Sequence, residues 1–181
     1  NSIFVFSLLA LTTLSALEKF ETGDRIVLIG DSITHGGSYH GNLYLFYATR
    51  FPEAPFCMFN CGIAGDTAPG TNRRFDSDIA IHKPNIATVM LGMNDAWSTT
   101  FSPEKSATSK AKEVEKVYST YTTEMEKLAA SLQAIGCRMI FIRPSIYDQT
   151  AELDAINHFG KNDMLGRFAA FIDQLAVRYD A

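Results

Sequence analysis

Ile26-Val27-Leu28-Ile29-Gly30-Asp31-Ser32-Ile33-Thr34 runs four apolar residues directly into a Gly-Asp-Ser turn. An apolar run of this length, bounded by a turn signal, suits a strand buried on both faces. Ser32 then stands just past the carboxyl end of that strand, where open α/β sheets bind their ligands. Whether this is one strand of a parallel sheet depends on the rest of the chain repeating the pattern.

It does repeat. Strand candidates at 25–29, 56–60, 86–91 and 138–142 alternate with helical patterns at 42–51, 71–81 and 162–179. Between the third and fourth strands, Val114, Val117, Tyr121, Met125, Leu128, Leu132 and Ile135 step by three or four, as one buried helical face does. Gly136 offers that helix a stop, and Ser102-Pro103-Glu104 offers it a start. The polar run 105–113 between them reads either as first turns or as loop. Strands alternating with helices imply βαβ crossovers and a mainly parallel, layered α/β sheet. No internal repeat, linker or low-complexity segment interrupts it.

The 181 residues, 46% hydrophobic and 20% charged, are enough for one domain with a substantial core. A net charge of −4 and a pI near 5.5, without a basic stripe, argue against nucleic acid as a partner. Arg73-Arg74 is the densest basic spot and reads as solvated surface. Residues 3–17 carry no charge, are short for a membrane span, and suit the core of a signal peptide ending in small residues. The expectation is therefore an exported protein, secreted or periplasmic, with a signal remnant at 1–17 and a single domain at 18–181. Cys57, Cys61 and Cys137 complete no zinc pattern. They read as small buried hydrophobes, with a Cys57–Cys61 or Cys61–Cys137 disulfide left open.

Three short polar motifs follow three different strands: Gly30-Asp31-Ser32, Asn60-Cys61-Gly62-Ile63-Ala64-Gly65-Asp66 and Gly92-Met93-Asn94-Asp95. Parallel strands gather all three at one edge of the sheet. The residue types suit acyl transfer. A serine hydroxyl attacks an ester carbonyl once a base takes its proton. The charge then developing on the carbonyl oxygen needs donors fixed in advance. The backbone N–H of a glycine, an asparagine amide and the serine's own N–H are such donors. Ser32 is the candidate nucleophile, with Gly65 and Asn94 as candidate oxyanion donors. Asp31, Asp66 and Asp95 read as loop-holding residues that accept backbone hydrogen bonds. His35-Gly36-Gly37 reads as a turn, and Trp97 and Tyr147-Asp148 as packing or rim residues more than substrate contacts. No metal-ligand cluster or phosphate-binding loop is apparent.

In order and spacing these three blocks resemble the GDSL-type SGNH hydrolases, a family of esterases and acylhydrolases, over about residues 24–181. The resemblance implies a flavodoxin-like three-layer α/β/α sandwich, an acyl-enzyme mechanism with Ser32 as nucleophile and Gly65 and Asn94 in the oxyanion hole, and no cofactor. By analogy with the family, the substrate is a small-molecule or carbohydrate ester, with O-acyl groups on carbohydrate preferred over a lipid ester. The chain departs from the family at the base. There, a histidine three residues after an aspartate follows a fifth strand, and this sequence contains no Asp-x-x-His. His158 stands four residues after Asp154 and precedes the last helix, while His35 is only three residues from Ser32. Both read as surface or supporting residues; the other histidines of the chain are His40 and His82. The expectation is that the last strand and the Asp/His segment lie beyond residue 181, leaving these residues with little turnover of their own. The alternative is an inactive domain of the same fold that binds carbohydrate or a protein partner.

Overall fold

A computed structural model of the protein describes residues 19–150, 152 and 156–181; the apolar stretch 3–17 and Asp154 lie outside the described residues. Four strands form one sheet: β1 (Arg25–Gly30), β2 (Cys57–Gly62), β3 (Ile86–Met90) and β4 (Arg138–Phe141). All pairings are parallel and the order is β2-β1-β3-β4. Each strand lies where the sequence pattern places one, within two residues at either end. β1 is inside because its side chains are apolar on both faces. Val27 and Ile29 face one layer of core, with Leu128, Leu132, Phe168 and Leu175, while Ile26 and Leu28 face another, with Phe20 and Ile86.

The first of these layers is built by α3 (Ala68–Arg73), α4 (Ala107–Ala134) and α5 (Lys161–Tyr179). Tyr121 of α4 stacks on Phe168 of α5 at 3.7 Å between ring centroids, and its hydroxyl donates to the Leu91 carbonyl at 3.1 Å. The other face is covered by α2 (Ser38–Arg50), whose Leu43 and Tyr47 pack on Phe20 and Phe56. The result is a three-layer α/β/α arrangement, the sandwich that the family resemblance implies, on the parallel sheet that the alternation implies. Among the described residues, no helix is long and apolar enough to cross a membrane.

Several boundaries differ from the sequence reading, each for a local reason. α2 begins at Ser38, before the expected residue 42. Gly37 enters the helix with φ 82°, and His40 Nε2 bonds back to the Thr34 carbonyl at 2.9 Å, fixing a turn that local composition marks as loop. The expected helix 71–81 is shorter and broken. α3 starts earlier, capped by Thr67, whose side chain accepts the Gly70 N–H, and Arg74 is followed by a π-helical turn (Phe75–Ile79) and a 3-10 turn (Ala80–His82). α4 starts at Ala107 because Ser106, not Ser102, accepts an N–H of its first turn, that of Ser109. At its other end Ile135 is 42% exposed, since it caps the helix where Gly136 reverses the chain with φ 71°.

All three cysteines are free. Cys61 and Cys137 are buried as expected, but Cys57 is exposed at the start of β2. Cys57 and Cys61 are four residues apart on one strand, about 13 Å at strand rise, which no disulfide spans.

Candidate functional site

β1 ends in Gly30, level with Gly62 of β2 and Met90 of β3. The next residues form α1 (Ser32–His35), a single helical turn. Asp31 caps it, its carboxylate accepting the Ile33 N–H at 3.0 Å. The turn lies so close to the sheet that side chains are excluded beneath it: a Cβ on Gly62 would collide with the His35 amide and Thr34. Ser32 is thus the first residue of a helix, where N–H groups lack intrahelical partners. It is exposed, and its hydroxyl has no hydrogen-bond partner among the described residues.

β2 leads into a tight turn closed by the Asp66 N–H on the Ile63 carbonyl at 3.0 Å, with the Ile63 N–H bonded to the Gly30 carbonyl at 3.1 Å. Gly65 occupies the position of that turn with φ 80°, a conformation that side-chain-bearing residues rarely adopt. Asp66 then anchors the loop. Its carboxylate accepts from the Thr67 N–H at 2.9 Å, the Thr71 hydroxyl at 2.9 Å, and Arg74 Nε and Nη2 at 2.9 and 2.6 Å. Arg74 also donates to the Cys61 carbonyl at 2.8 Å. Arg74 is therefore no solvated surface residue, as its sequence context suggested. Its side chain is 13% exposed and clamps the Gly65 turn to β2, while Arg73 is exposed.

β3 delivers Asn94 and Asp95. Asn94 Nδ2 donates to the Asp66 carbonyl at 3.0 Å, which orients the amide and leaves its second hydrogen available. Asp95 is buried and accepts the Ala68 N–H at 2.9 Å through Oδ1, so the third motif holds the start of α3. Its Oδ2 has no hydrogen-bond partner among the described residues. Burial pushes the Asp95 carboxyl up to about 7, against hydrogen bonds that lower it, and the charges of Asp66 and Asp31 add to the rise. Asp31 is raised as well, mainly by burial. The three motifs expected at one sheet edge do emerge side by side from three adjacent strands, bonded to one another, with Ser32 on the middle strand's extension. Asp31, Asp66 and Asp95 are loop holders, as read from the sequence.

Two cavities flank this edge. One, of about 240 Å³, lies between Gly65 and Asn94 on one side and Trp97, Ser98 and Lys161 on the other. The second, of about 630 Å³, shares Thr67, Trp97 and Thr99 with the first and has Asp95 and Tyr121 in its wall. Trp97 is 60% exposed between them. Lys161, the first residue of α5, is buried and was not singled out from the sequence. No local signal marks it, because β3 and α5 come together only in the fold.

None of the four histidines makes a hydrogen bond or ring contact with Ser32 among the described residues. His35 Nδ1 bonds the Gly62 carbonyl at 3.1 Å, His40 the Thr34 carbonyl, and His82 stacks on Phe59 at 4.3 Å. His158 donates its backbone N–H to the Tyr147 hydroxyl at 3.3 Å, and its Nδ1 is buried without a hydrogen-bond partner among the described residues. Asp148 accepts both the N–H and the hydroxyl of Thr150, closing its own turn.

The three-layer fold built on this parallel sheet is matched in known proteins. The model of the GDSL-like Lipase/Acylhydrolase family matches residues 28–181, and the chain belongs to that family. An acetylxylan esterase from Geobacillus stearothermophilus is 30% identical over 94 residues, covering 44% of this chain and 43% of the relative. The chain thus spans less than half the length of that curated relative. Among solved structures, BT4096, a gut microbial diltiazem-metabolizing enzyme, superposes with a TM-score of 0.82 at 32% identity, over 91% of this chain and 37% of its own. Axe2, an acetylxylan esterase from Geobacillus stearothermophilus, has a TM-score of 0.71 at 19% identity over 91% of this chain and 76% of its own, a likeness of fold. The solved forms of Axe2 include three catalytic mutants, in which an aspartate, a serine or a histidine is replaced by alanine.

Proposed function

We propose that the chain carries the nucleophile and oxyanion-binding half of an ester hydrolase that removes O-acyl groups, acetyl foremost, from carbohydrate. One observation carries the reading: Ser32 is exposed with a free hydroxyl on the extension of the central strand β1, and the strands on either side deliver Gly65 and Asn94 to the same edge. Ser32 attacks the ester carbonyl and forms an acyl-enzyme, releasing the alcohol, and water then hydrolyses the acyl-enzyme. The Ser32 and Gly65 N–H groups and the free Asn94 amide hydrogen receive the negative charge of the tetrahedral intermediate. Carbohydrate as the alcohol rests on the name of the 30%-identical relative and on the exposed Trp97 face beside Asn94. Among the described residues none of His35, His40, His82 or His158 hydrogen-bonds Ser32, so none of them is assigned as the base that takes its proton. Export belongs to the same proposal and rests on the uncharged stretch 3–17.

The test is hydrolysis of p-nitrophenyl acetate and of acetylated xylo-oligosaccharide by the protein that carries this chain. Ser32→Ala should abolish turnover, and Asn94→Ala should lower kcat by about a hundred- to a thousand-fold. Undiminished hydrolysis by the Ser32→Ala protein would remove the nucleophile assignment. That no histidine of the described residues hydrogen-bonds Ser32 favours a second reading, a non-catalytic carbohydrate- or partner-binding domain. Sugar binding with no hydrolysis of any ester, and no labelling of Ser32 by a fluorophosphonate, would support it over the first.

A further inference from the structure

Lys161 is 6% exposed, yet no ion pair of the described residues includes it. Its ammonium donates to the Ser98 hydroxyl at 3.3 Å and lies 5.3 Å from the centre of the Tyr147 ring. An ammonium has three N–H groups, so two remain to be satisfied. Burying such a cation without a counter-charge is costly, and buried charges are ordinarily paired. Desolvation accordingly lowers the Lys161 pKa, with no charged neighbour contributing. Lys161 is also a wall of the 240 Å³ cavity that holds Gly65 and Asn94. The cavity therefore offers an unneutralised cation beside the candidate oxyanion donors.

The other walls indicate what carries the missing charge. Trp97 is exposed, and Asn94, Thr67, Ser98 and Thr99 supply polar residues to the rest of the wall. An apolar platform with a few convergent polar groups suits a sugar ring. We propose that this cavity is a subsite for a sugar acid, with Lys161 binding the ring carboxylate and Trp97 supporting the ring. This deepens, and rests on, the reading of the site as a carbohydrate esterase. A carboxylate is favoured over a phosphate because a single cation is available. Lys161 is the one charged side chain among the residues lining this cavity, which matches a monoanion rather than a dianion. The subsite would direct the enzyme toward acyl groups borne by uronate residues or by their neighbours in a chain.

Trp97 is the only tryptophan of the chain, so its fluorescence reports this cavity directly. The full chain is titrated with D-glucuronate, its neutral isostere D-glucuronamide, D-glucose and D-glucose 6-phosphate. A saturable change is expected with glucuronate, at least about tenfold tighter than with glucuronamide or glucose. Lys161→Met should weaken glucuronate binding about tenfold or more while leaving glucose binding in place, and Lys161→Arg should restore most of the loss. The glucuronate–glucuronamide comparison needs no variant, so it decides the question even if Lys161→Met fails to fold. Equal affinities for those two ligands, no saturable response to glucuronate, or unchanged glucuronate binding by folded Lys161→Met would overturn the proposal. Tighter binding of glucose 6-phosphate than of glucuronate would overturn the choice of carboxylate. Binding is read without turnover, so a failure here is distinct from a failure of Ser32→Ala to abolish hydrolysis.

Discussion

Asp95 carries a pH dependence whose sign follows from its surroundings. Its carboxyl titrates ordinarily at 3.8 and is pushed up to about 7 in the fold, first by burial and then by the charges of Asp66 and Asp31. The folded state therefore holds this proton more tightly than the unfolded chain does. The resulting stability is fully present below about pH 4 and is lost as pH rises to about 7. Asp95→Asn keeps an oxygen for the Ala68 N–H and places an amide where Oδ2 now stands without a partner, in the wall of the larger cavity. We expect the variant to flatten the fall in stability between pH 4 and 7, and above pH 7 to exceed the parent by about 2–4 kcal/mol. Urea unfolding at pH 5 and pH 8 measures both, and parallel pH profiles for the two proteins would refute the assignment. Asp95 was legible as a loop-holding residue because it follows a strand directly. Its titration was not, since that depends first on burial in the folded core and then on two carboxylates delivered by other strands.

At the scale of elements, apolar periodicity made β1, α4 and α5 readable. Leu165, Phe168, Phe171, Ile172 and Leu175 of α5 are all buried, as their spacing requires. Periodicity says nothing about polar residues that are buried through distant partners. Arg74 is the clear case: beside Arg73 it looks like surface, and only the return of the Gly65 loop brings Asp66 to it. The pair holds the end of α3 against β2 and against the turn that presents Gly65. Arg74→Met would leave the Asp66 carboxylate, 8% exposed, without its cation. Removing one member of a buried pair costs about 3–5 kcal/mol, so the denaturation midpoint should drop accordingly. Arg74→Lys should recover only part of this, because lysine cannot reach Asp66 and the Cys61 carbonyl with the same planar fork. A loss under about 1 kcal/mol in Arg74→Met would instead place the pair with ordinary surface ion pairs.

For the molecule as a whole, the order of the sheet was the least visible feature of the sequence. Alternation implies parallel strands but leaves open which strand is central, since that depends on crossovers of similar length. Burial on both faces is the one local sign, and it points to β1 and β3, whose side chains are almost uniformly buried. β2 has an exposed Cys57 and half-exposed Met58 and Phe59, and it pairs only with β1 among the described residues. The catalytic reading depends on this order, because it sets Ser32 between the Gly65 and Asn94 loops. Native-state hydrogen exchange tests it directly. Amides of Val27 to Ile29 lie in a strand paired on both sides and shielded by both core layers, so they should open only with global unfolding. Amides near the start of β2 should exchange through smaller openings, at free energies well below the global value. If Met58 and Phe59 instead proved as protected as Leu28, the outer edge of β2 would have to be covered. The exposed Tyr44 and Leu45 of α2 would then belong to a buried surface as well.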